Sequence, residues 1–167
     1  TIENVGDARY VGLEFAAETD LAALYDRAHG TALRDQVGSI SPFVNFMLLD
    51  AKFTEGPNAY KTPQYAPQYT LRLGAQYALK DLLKLNLSSL FVDDHFADDA
   101  GTTNRTIPSY KVWDLTGEVK LYKDYVTLFG GINNLFDERY DARIRGDGID
   151  PAPERNLYGG LRVGMKF

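Results

Sequence analysis

Hydrophobic and polar residues alternate along much of this chain with a period of two, which is typical of β-strands. The clearest example is Tyr69–Leu79, YTLRLGAQYAL, in which large hydrophobic residues occupy every second position. The same alternation starts at Val11 and near the C-terminus at Leu157, where it runs to Phe167. Further strands are predicted over Ile40–Phe53 and from Leu83, Trp113 and Val126 onward. The pattern therefore predicts an all-β, antiparallel fold of about seven strands.

The connections between these strands alternate in length. Residues 80–81 and 122–125 form short turns, whereas residues 54–68, 94–108 and 136–156 are long and rich in Pro, Gly and Asp. Short and long connections then lie at opposite ends of the sheet, an asymmetry typical of outer-membrane barrels. The long connection from Asp20 to Gly38 breaks this rule, and its Leu21–His29 segment predicts a helix.

One face of the predicted sheet is polar and the other is apolar. The alternation places six residues on the polar face: Glu14, Arg72, Gln76, Lys84, Asn86 and Arg162. Periodicity alone leaves open which face is outside, because a soluble barrel has an apolar interior and a polar exterior. Seven strands also leave two open edges, so the sheet either contains one more strand before residue 10 or belongs to a larger barrel.

Composition excludes several function classes. The 167 residues carry a formal net charge of −5, which disfavours a nucleic-acid partner. The absence of Cys excludes disulfides, thiolate catalysis and Cys-based zinc sites. No apolar run approaches the roughly 18 residues that a membrane helix requires.

Six phrases, taken together, identify a family. They are GLEF (12–15), LLDAKF (48–53) with TPQYAPQYTLRLGAQY (62–77), IPSYKVWDLTGEVKLY (107–122), LFGGINNLFDERY (128–140) and PAPERNLYGGLRVGMKF (151–167). In this order and spacing they resemble the C-terminal part of a TonB-dependent outer-membrane receptor, most closely one for ferric citrate or another ferric chelate. Over residues 1–167 the resemblance implies a transmembrane barrel segment, the last third of a barrel of about 22 strands, with the plug domain absent from this chain.

The resemblance also implies a function, a location and partners. The expected function is energy-driven uptake of a ferric chelate, such as a siderophore or ferric citrate, across the outer membrane of a Gram-negative bacterium. The six polar-face residues would line the lumen, and the opposite face would meet lipid. A TonB-type energy-coupling protein would act through the absent plug, and no cofactor is expected. The terminal strand resembles the signal read by the barrel-assembly machinery, through Tyr158, Leu161, Val163, Met165 and Phe167.

Candidate binding chemistry lies in the long connections. An anionic chelate favours Arg, whose planar guanidinium pairs with a carboxylate through two hydrogen bonds. The candidate ligand-binding residues are Arg105, Arg143, Arg145 and Arg155, and ordinary ion pairs with nearby Asp and Glu are the alternative. The acidic segment 91–99, FVDDHFADD, is interpreted as a solvated loop rather than a metal site, since its spacing does not fit a calcium-binding loop.

Two further classes stay open as alternatives. One is a soluble β-barrel that binds a ligand, and the other is a small outer-membrane hydrolase that uses His95 with Asp93 or Asp94. Against the hydrolase, His29 and His95 are the only histidines, and the topology places them at opposite ends of the sheet. No catalytic residue is therefore assigned, and the protein is not expected to be an enzyme.

Overall fold

The computed structural model of the protein describes residues 6–122 and 125–164. Eleven strands occur in this part of the chain. They are β1 (Ala8–Glu18), β2 (Ser39–Phe53), β3 (Tyr69–Leu79), β4 (Leu83–Val92), β5 (His95–Phe96), β6 (Thr106–Ile107), β7 (Tyr110–Tyr122), β8 (Val126–Asn133), β9 (Asp141–Ile144), β10 (Ile149–Pro151) and β11 (Asn156–Val163).

The seven long strands form one antiparallel sheet in the order β1-β2-β3-β4-β7-β8-β11, so each long strand pairs with the next long strand along the chain. The seven predicted strands are thereby confirmed. Within the described residues β1 and β11 are the two edges, and the sheet is not closed. Two short ribbons, β5–β6 and β9–β10, stand apart from it inside two of the long connections.

Two helices connect β1 to β2: α1 (Leu21–His29) and α2 (Leu33–Val37). The bounds of α1 are those predicted from the sequence, whereas α2 was not predicted. Asp20 caps α1 by accepting a hydrogen bond from the Ala23 backbone N–H (3.1 Å), and Gly30, with a φ of 66°, ends it. Neither described helix is long and apolar enough to cross a membrane.

The connections divide the sheet into two ends. The β3–β4 and β7–β8 turns and the α1–α2 connection lie at one end, here called the short-turn end. The three long connections lie at the other end, here called the long-loop end. The predicted alternation is confirmed, including the exception made by α1 and α2.

The two faces of the sheet differ in what covers them. Residues paired directly across neighbouring antiparallel strands share a face, so the register assigns each side chain. The apolar face carries many exposed hydrophobic side chains: Val11, Leu13, Phe15, Ile40, Leu48, Leu85, Leu87, Leu128, Leu157, Leu161 and Val163. The polar face is open at the short-turn end and is covered at the long-loop end, where the long connections fold over it.

The small core of the molecule lies under these long connections. Ile107, fully buried, and Ala97 come from the β4–β7 connection, and Ala66 comes from the β2–β3 connection. The buried polar-face side chains of the sheet at this end are Ala51, Phe53, Val92 and Val112. Burial of loop and sheet residues at the long-loop end is consistent with connections that hold a defined structure without extending the sheet.

Candidate functional site

The structure brings the six predicted polar-face residues onto one face. Glu14 is opposite Met47, which is opposite Thr70, and Thr70 shares its face with Arg72 and Gln76 two and six residues on. Gln76 is opposite Asn86. The register then links Lys84 to Glu118 and onward to the face of Arg162.

A charged triad lies on this face at the short-turn end. Glu118 lies 3.2 Å from Lys84 Nζ and 3.8 Å from Arg162 Nη1, so the triad spans the four neighbouring strands β4, β7, β8 and β11. Glu118 is half-buried while both cations are exposed, so each ion pair contributes little stability. The triad carries a net charge of +1 into an open depression of about 370 Å³ that Ser41, Gln76 and Asn86 also line.

Aromatic rings lie flat over glycines on the same face. A Cβ added to Gly131 would lie 2.7 Å from the Tyr158 ring, and one added to Gly160 would lie 2.8 Å from the Phe129 ring. These pairs are directly opposite each other on β8 and β11, with no register shift, so the glycines reflect neighbouring aromatics rather than bulges. The Tyr158 and Phe129 rings therefore lie along the polar face of the sheet and do not project away from it.

Tyr65 joins the three long connections into one structure, here called the loop cluster (residues 54–68, 93–109 and 134–155). Its backbone N–H donates to Phe96 O (2.8 Å), and its hydroxyl donates to Ile144 O (3.2 Å). Its ring lies 6.0 Å from that of His95 and 5.9 Å from the Arg143 guanidinium carbon. One residue of the first connection thus contacts the other two.

The four candidate arginines lie in the loop cluster, but they differ in their partners. Arg145 pairs with Asp150 (2.8 Å) and Arg105 with Asp98 (3.7 Å), as the ion-pair alternative predicts. Arg143 lies over the Tyr65 ring instead. The Arg155 backbone N–H donates to Asp137, and among the described residues no ion pair involves the Arg143 or Arg155 side chain.

The acidic segment fastens loops to each other. Asp98 accepts from the Thr102 N–H (3.0 Å) and Asp99 from the Gln64 N–H (2.9 Å), while His95 Nδ1 lies 3.0 Å from Asp93 O. The hydrogen bonds from Thr102, with a smaller effect of the Arg105 charge, lower the pKa of Asp98. Over residues 6–122 and 125–164 no three acidic or His side chains converge as metal ligands would.

Asn134 organises the third connection, a role that the sequence analysis missed. Only 4% of this residue is exposed, and its φ is 53°. Its Nδ2 donates to Glu138 O (2.8 Å) and Pro153 O (3.3 Å), and its Oδ1 accepts from the Glu138 N–H (2.8 Å). The Asn-Leu-Phe-Asp phrase therefore forms a hydrogen-bonded turn at the base of the third connection. The sequence signal for this turn was the Asn, which tolerates a positive φ better than most residues.

Aromatic stacking closes the same region. The rings of Tyr110 and Tyr140 are stacked with centroids 4.1 Å apart, and Phe136 meets Trp113 edge-on at 6.2 Å. Burial, with a smaller effect of the Asp114 charge, raises the pKa of Tyr140 above its ordinary value.

Three residues of the predicted assembly signal are described. Tyr158 lies on the polar face over Gly131, whereas Leu161 and Val163 lie exposed on the apolar face, opposite Leu128 and Val126. Met165 and Phe167 lie outside the described residues. The alternation predicted for the last strand is thus present as far as Val163.

An up-and-down antiparallel sheet with one exposed apolar face, short turns at one end and large loops at the other defines a segment of a membrane β-barrel. The sequence profile of the "TonB dependent receptor-like, beta-barrel" family matches residues 1–135. The chain belongs to this family, and the resemblance inferred from the six phrases is confirmed.

Solved structures of the same fold agree with this assignment. The ferric citrate transporter FecA superposes with a TM-score of 0.76 at 24% identity, over 92% of this chain and 24% of that one. The ferric yersiniabactin uptake receptor FyuA from Yersinia pestis gives 0.73 at 17% identity, over 98% and 24%. The siderophore receptor PiuA from Acinetobacter baumannii gives 0.72 at 19% identity, over 95% and 22%.

The chain spans about a quarter of the length of these solved structures. No curated protein sequence matches it significantly. Receptors of this family are transporters of the Gram-negative outer membrane rather than enzymes, and their ligands include ferric chelates and siderophores. The family assignment therefore argues against the hydrolase alternative.

Proposed function

We propose that this chain is the C-terminal part of the barrel of an outer-membrane transporter that takes up a ferric chelate. In this proposal the apolar face meets lipid, the polar face lines the lumen and the loop cluster faces the cell exterior. The plug domain lies outside the chain and receives energy from a TonB-type inner-membrane protein. The barrel-assembly machinery reads the terminal strand.

The distribution of exposed hydrophobic side chains supports the membrane orientation. Leu13, Leu128 and Leu161 are each more than two-fifths exposed among the described residues, and all lie on the apolar face. A soluble module buries such a face, because large apolar patches on soluble proteins promote association. Lipid covers it without any further protein.

Arg143 is the single feature of the loop cluster that best supports chelate capture. Its guanidinium stacks on Tyr65, and no carboxylate of the described residues neutralises it. Arg155, also without an ion pair there, is the second candidate, whereas Asp150 and Asp98 occupy Arg145 and Arg105. We therefore rank Arg143 and Arg155 above the other two arginines as contacts for the carboxylates of a ferric chelate.

Uptake of radioactive iron tests this ranking. Cells producing the full native polypeptide with Arg143→Gln or Arg155→Gln are supplied with ferric citrate and, in parallel, with a ferric catecholate. A hydrogen bond to a charged group contributes about 1.5–3 kcal/mol. Each substitution is therefore expected to raise the chelate concentration needed for half-maximal uptake about tenfold or more.

Arg27→Gln, an exposed arginine of α1 at the short-turn end, is the matched control and is expected to leave uptake unchanged. Equal uptake by the wild type and the Arg143→Gln, Arg155→Gln double variant would remove these residues from ligand capture. A wild type that imports neither chelate would contradict the proposed substrates. Trypsin treatment of intact cells checks orientation, since cleavage is expected between residues 139 and 155.

A further inference from the structure

The α1–α2 connection carries an apolar surface that neither the fold nor the proposed transport explains. Leu21, Leu24 and Tyr25 occupy positions i, i+3 and i+4 of α1 and are 46%, 57% and 47% exposed. Ala28 extends this row by one turn and is also exposed. Together these four residues form a stripe, here called the α1 stripe. Ala22, on an adjoining side of the helix, is buried.

Several polar groups of the connection bond within it, while the exposed His29 ring stacks on Tyr25 of the stripe with centroids 4.1 Å apart. Asp26 accepts hydrogen bonds from the Leu33 and Arg34 N–H groups (2.6 and 2.9 Å) and from the Thr31 hydroxyl (2.5 Å). Arg34 Nε lies 2.9 Å from Asp20. These contacts lock α1 to α2, so the exposed stripe is a fixed surface and not a product of a loose loop.

Tyr77 connects this helical pair to the apolar face of the sheet. Its side chain belongs to that face, opposite Ile40 and Leu85, and its hydroxyl donates to the carbonyl of Val37, the last residue of α2 (2.8 Å). Val37 and Ile40 are both nearly half exposed. Exposed apolar side chains therefore occur both on the sheet and at the end of α2, joined there by the Tyr77 hydrogen bond.

Tyrosines mark the same level of the sheet as an interface. Tyr122 and Tyr125 flank the β7–β8 turn at the short-turn end with ring centroids 6.0 Å apart, and Tyr77 and Tyr25 lie at that end too. Tyr is enriched where a membrane meets water, because the ring favours the apolar side and the hydroxyl the wet side. The helices thus lie at the depth where lipid headgroups begin.

We infer that α1 lies in the headgroup region of the periplasmic leaflet and that the α1 stripe contacts phospholipid acyl chains there. Helices with one apolar side and a polar remainder bind membrane interfaces in this way. The exposed Arg27, beside Leu24 on the helical surface, is placed to meet lipid phosphates. This inference rests on the proposed membrane orientation and adds a second lipid contact outside the barrel wall.

Spin-label accessibility tests the inference in the full native polypeptide reconstituted into phosphatidylethanolamine and phosphatidylglycerol vesicles. A nitroxide is attached at Leu24→Cys, at Leu13→Cys on the apolar face and at Ala23→Cys. Ala23 is the matched control, because it lies on the side of α1 away from the α1 stripe. Collisions with oxygen, which concentrates in lipid, are compared with collisions with a water-soluble nickel chelate.

The Leu24 label is expected to show the oxygen preference of the Leu13 label, and the Ala23 label to show the opposite preference. A nickel-accessible Leu24 label with a lipid-accessible Leu13 label overturns the inference and leaves the proposed orientation intact. A Leu24 label shielded from both reagents also overturns it, since protein then covers the stripe. A nickel-accessible Leu13 label contradicts the proposed orientation itself.

Discussion

Replacing Asn134 by Ala is expected to open the base of the third long connection. The substitution removes the 2.8 Å hydrogen bonds that join the Asn134 side chain to the Glu138 N–H and carbonyl. Each contributes about 1 kcal/mol net, and Ala at a φ of 53° adds about 1 kcal/mol of backbone strain that Asn largely avoids. The total is about 3 kcal/mol, concentrated in one loop.

Amide hydrogen exchange followed by mass spectrometry measures this effect where it occurs. If local opening governs exchange in the 134–155 connection, about 3 kcal/mol corresponds to exchange roughly 100-fold faster. Peptides containing the Glu138 and Arg155 amides report it, because both N–H groups donate to side chains of the Asn134–Asp137 segment. The experiment uses the full native polypeptide in lipid.

Two further variants separate the contributions. Asn134→Gly keeps the backbone conformation and loses the side-chain bonds, so it should give about two-thirds of the free-energy change. Asn133→Ala removes one exposed hydrogen bond, to Asn156 at 2.9 Å, and is expected to have less than about a third of the effect. If the Glu138 amide of the Asn134→Ala variant exchanges at the wild-type rate, Asn134 does not hold the base of this connection. A larger effect from Asn133→Ala would refute that role as well.

The remaining predictions concern one face of the sheet and one helix cap. Gly131→Val places a Cβ 2.7 Å from the Tyr158 ring and is expected to lower the free energy of unfolding, measured in urea, by about 1–3 kcal/mol. Adding Tyr158→Ala to this variant should restore part of the loss. Gly148→Ala is the control and should be neutral, because a Cβ there meets no atom within 4 Å. Hydrogen bonds from Thr31 and from the Arg34 N–H lower the pKa of Asp26 below its ordinary 3.8, so its cap on α2 is present above pH 3.8 and is lost as pH falls through the folded pKa. Exchange of the Leu33 and Arg34 amides should accelerate in that acidic range in the wild type and be fast at every pH in Asp26→Asn.

The sheet could be predicted from the sequence because its residues obey a local rule. Strands such as Tyr69–Leu79 alternate cleanly, since one face of the sheet is mostly apolar, and the predicted bounds of this strand and the predicted start of the next at Leu83 match the structure. Helix α1 also had a local signal, an Asp at its cap and a Gly after its end. The five-residue α2 had none, because Asp26, outside the helix, supplies its cap.

The loop cluster could be predicted only in part. The β9–β10 hairpin left no two-residue turn signal, because four residues, 145–148, separate its paired residues Ile144 and Ile149 within a long connection. Which arginines are paired could not be predicted, since it depends on contacts such as Arg105–Asp98 that form only after the loops fold. The cross-loop contacts of Tyr65 join residues 79 positions apart and leave no periodic trace.

Tyr65 has a mechanical consequence for the three long connections. Because the same residue bonds Phe96 in one neighbour and Ile144 in the other, no connection can swing away alone without breaking at least one of these bonds. A ligand that displaces the β9–β10 hairpin is therefore expected to displace the segment around Tyr65 as well. Through the bond from Tyr65 to Phe96, the β4–β7 connection is expected to move with it. The three long connections at the mouth of the barrel are therefore expected to move together and not independently.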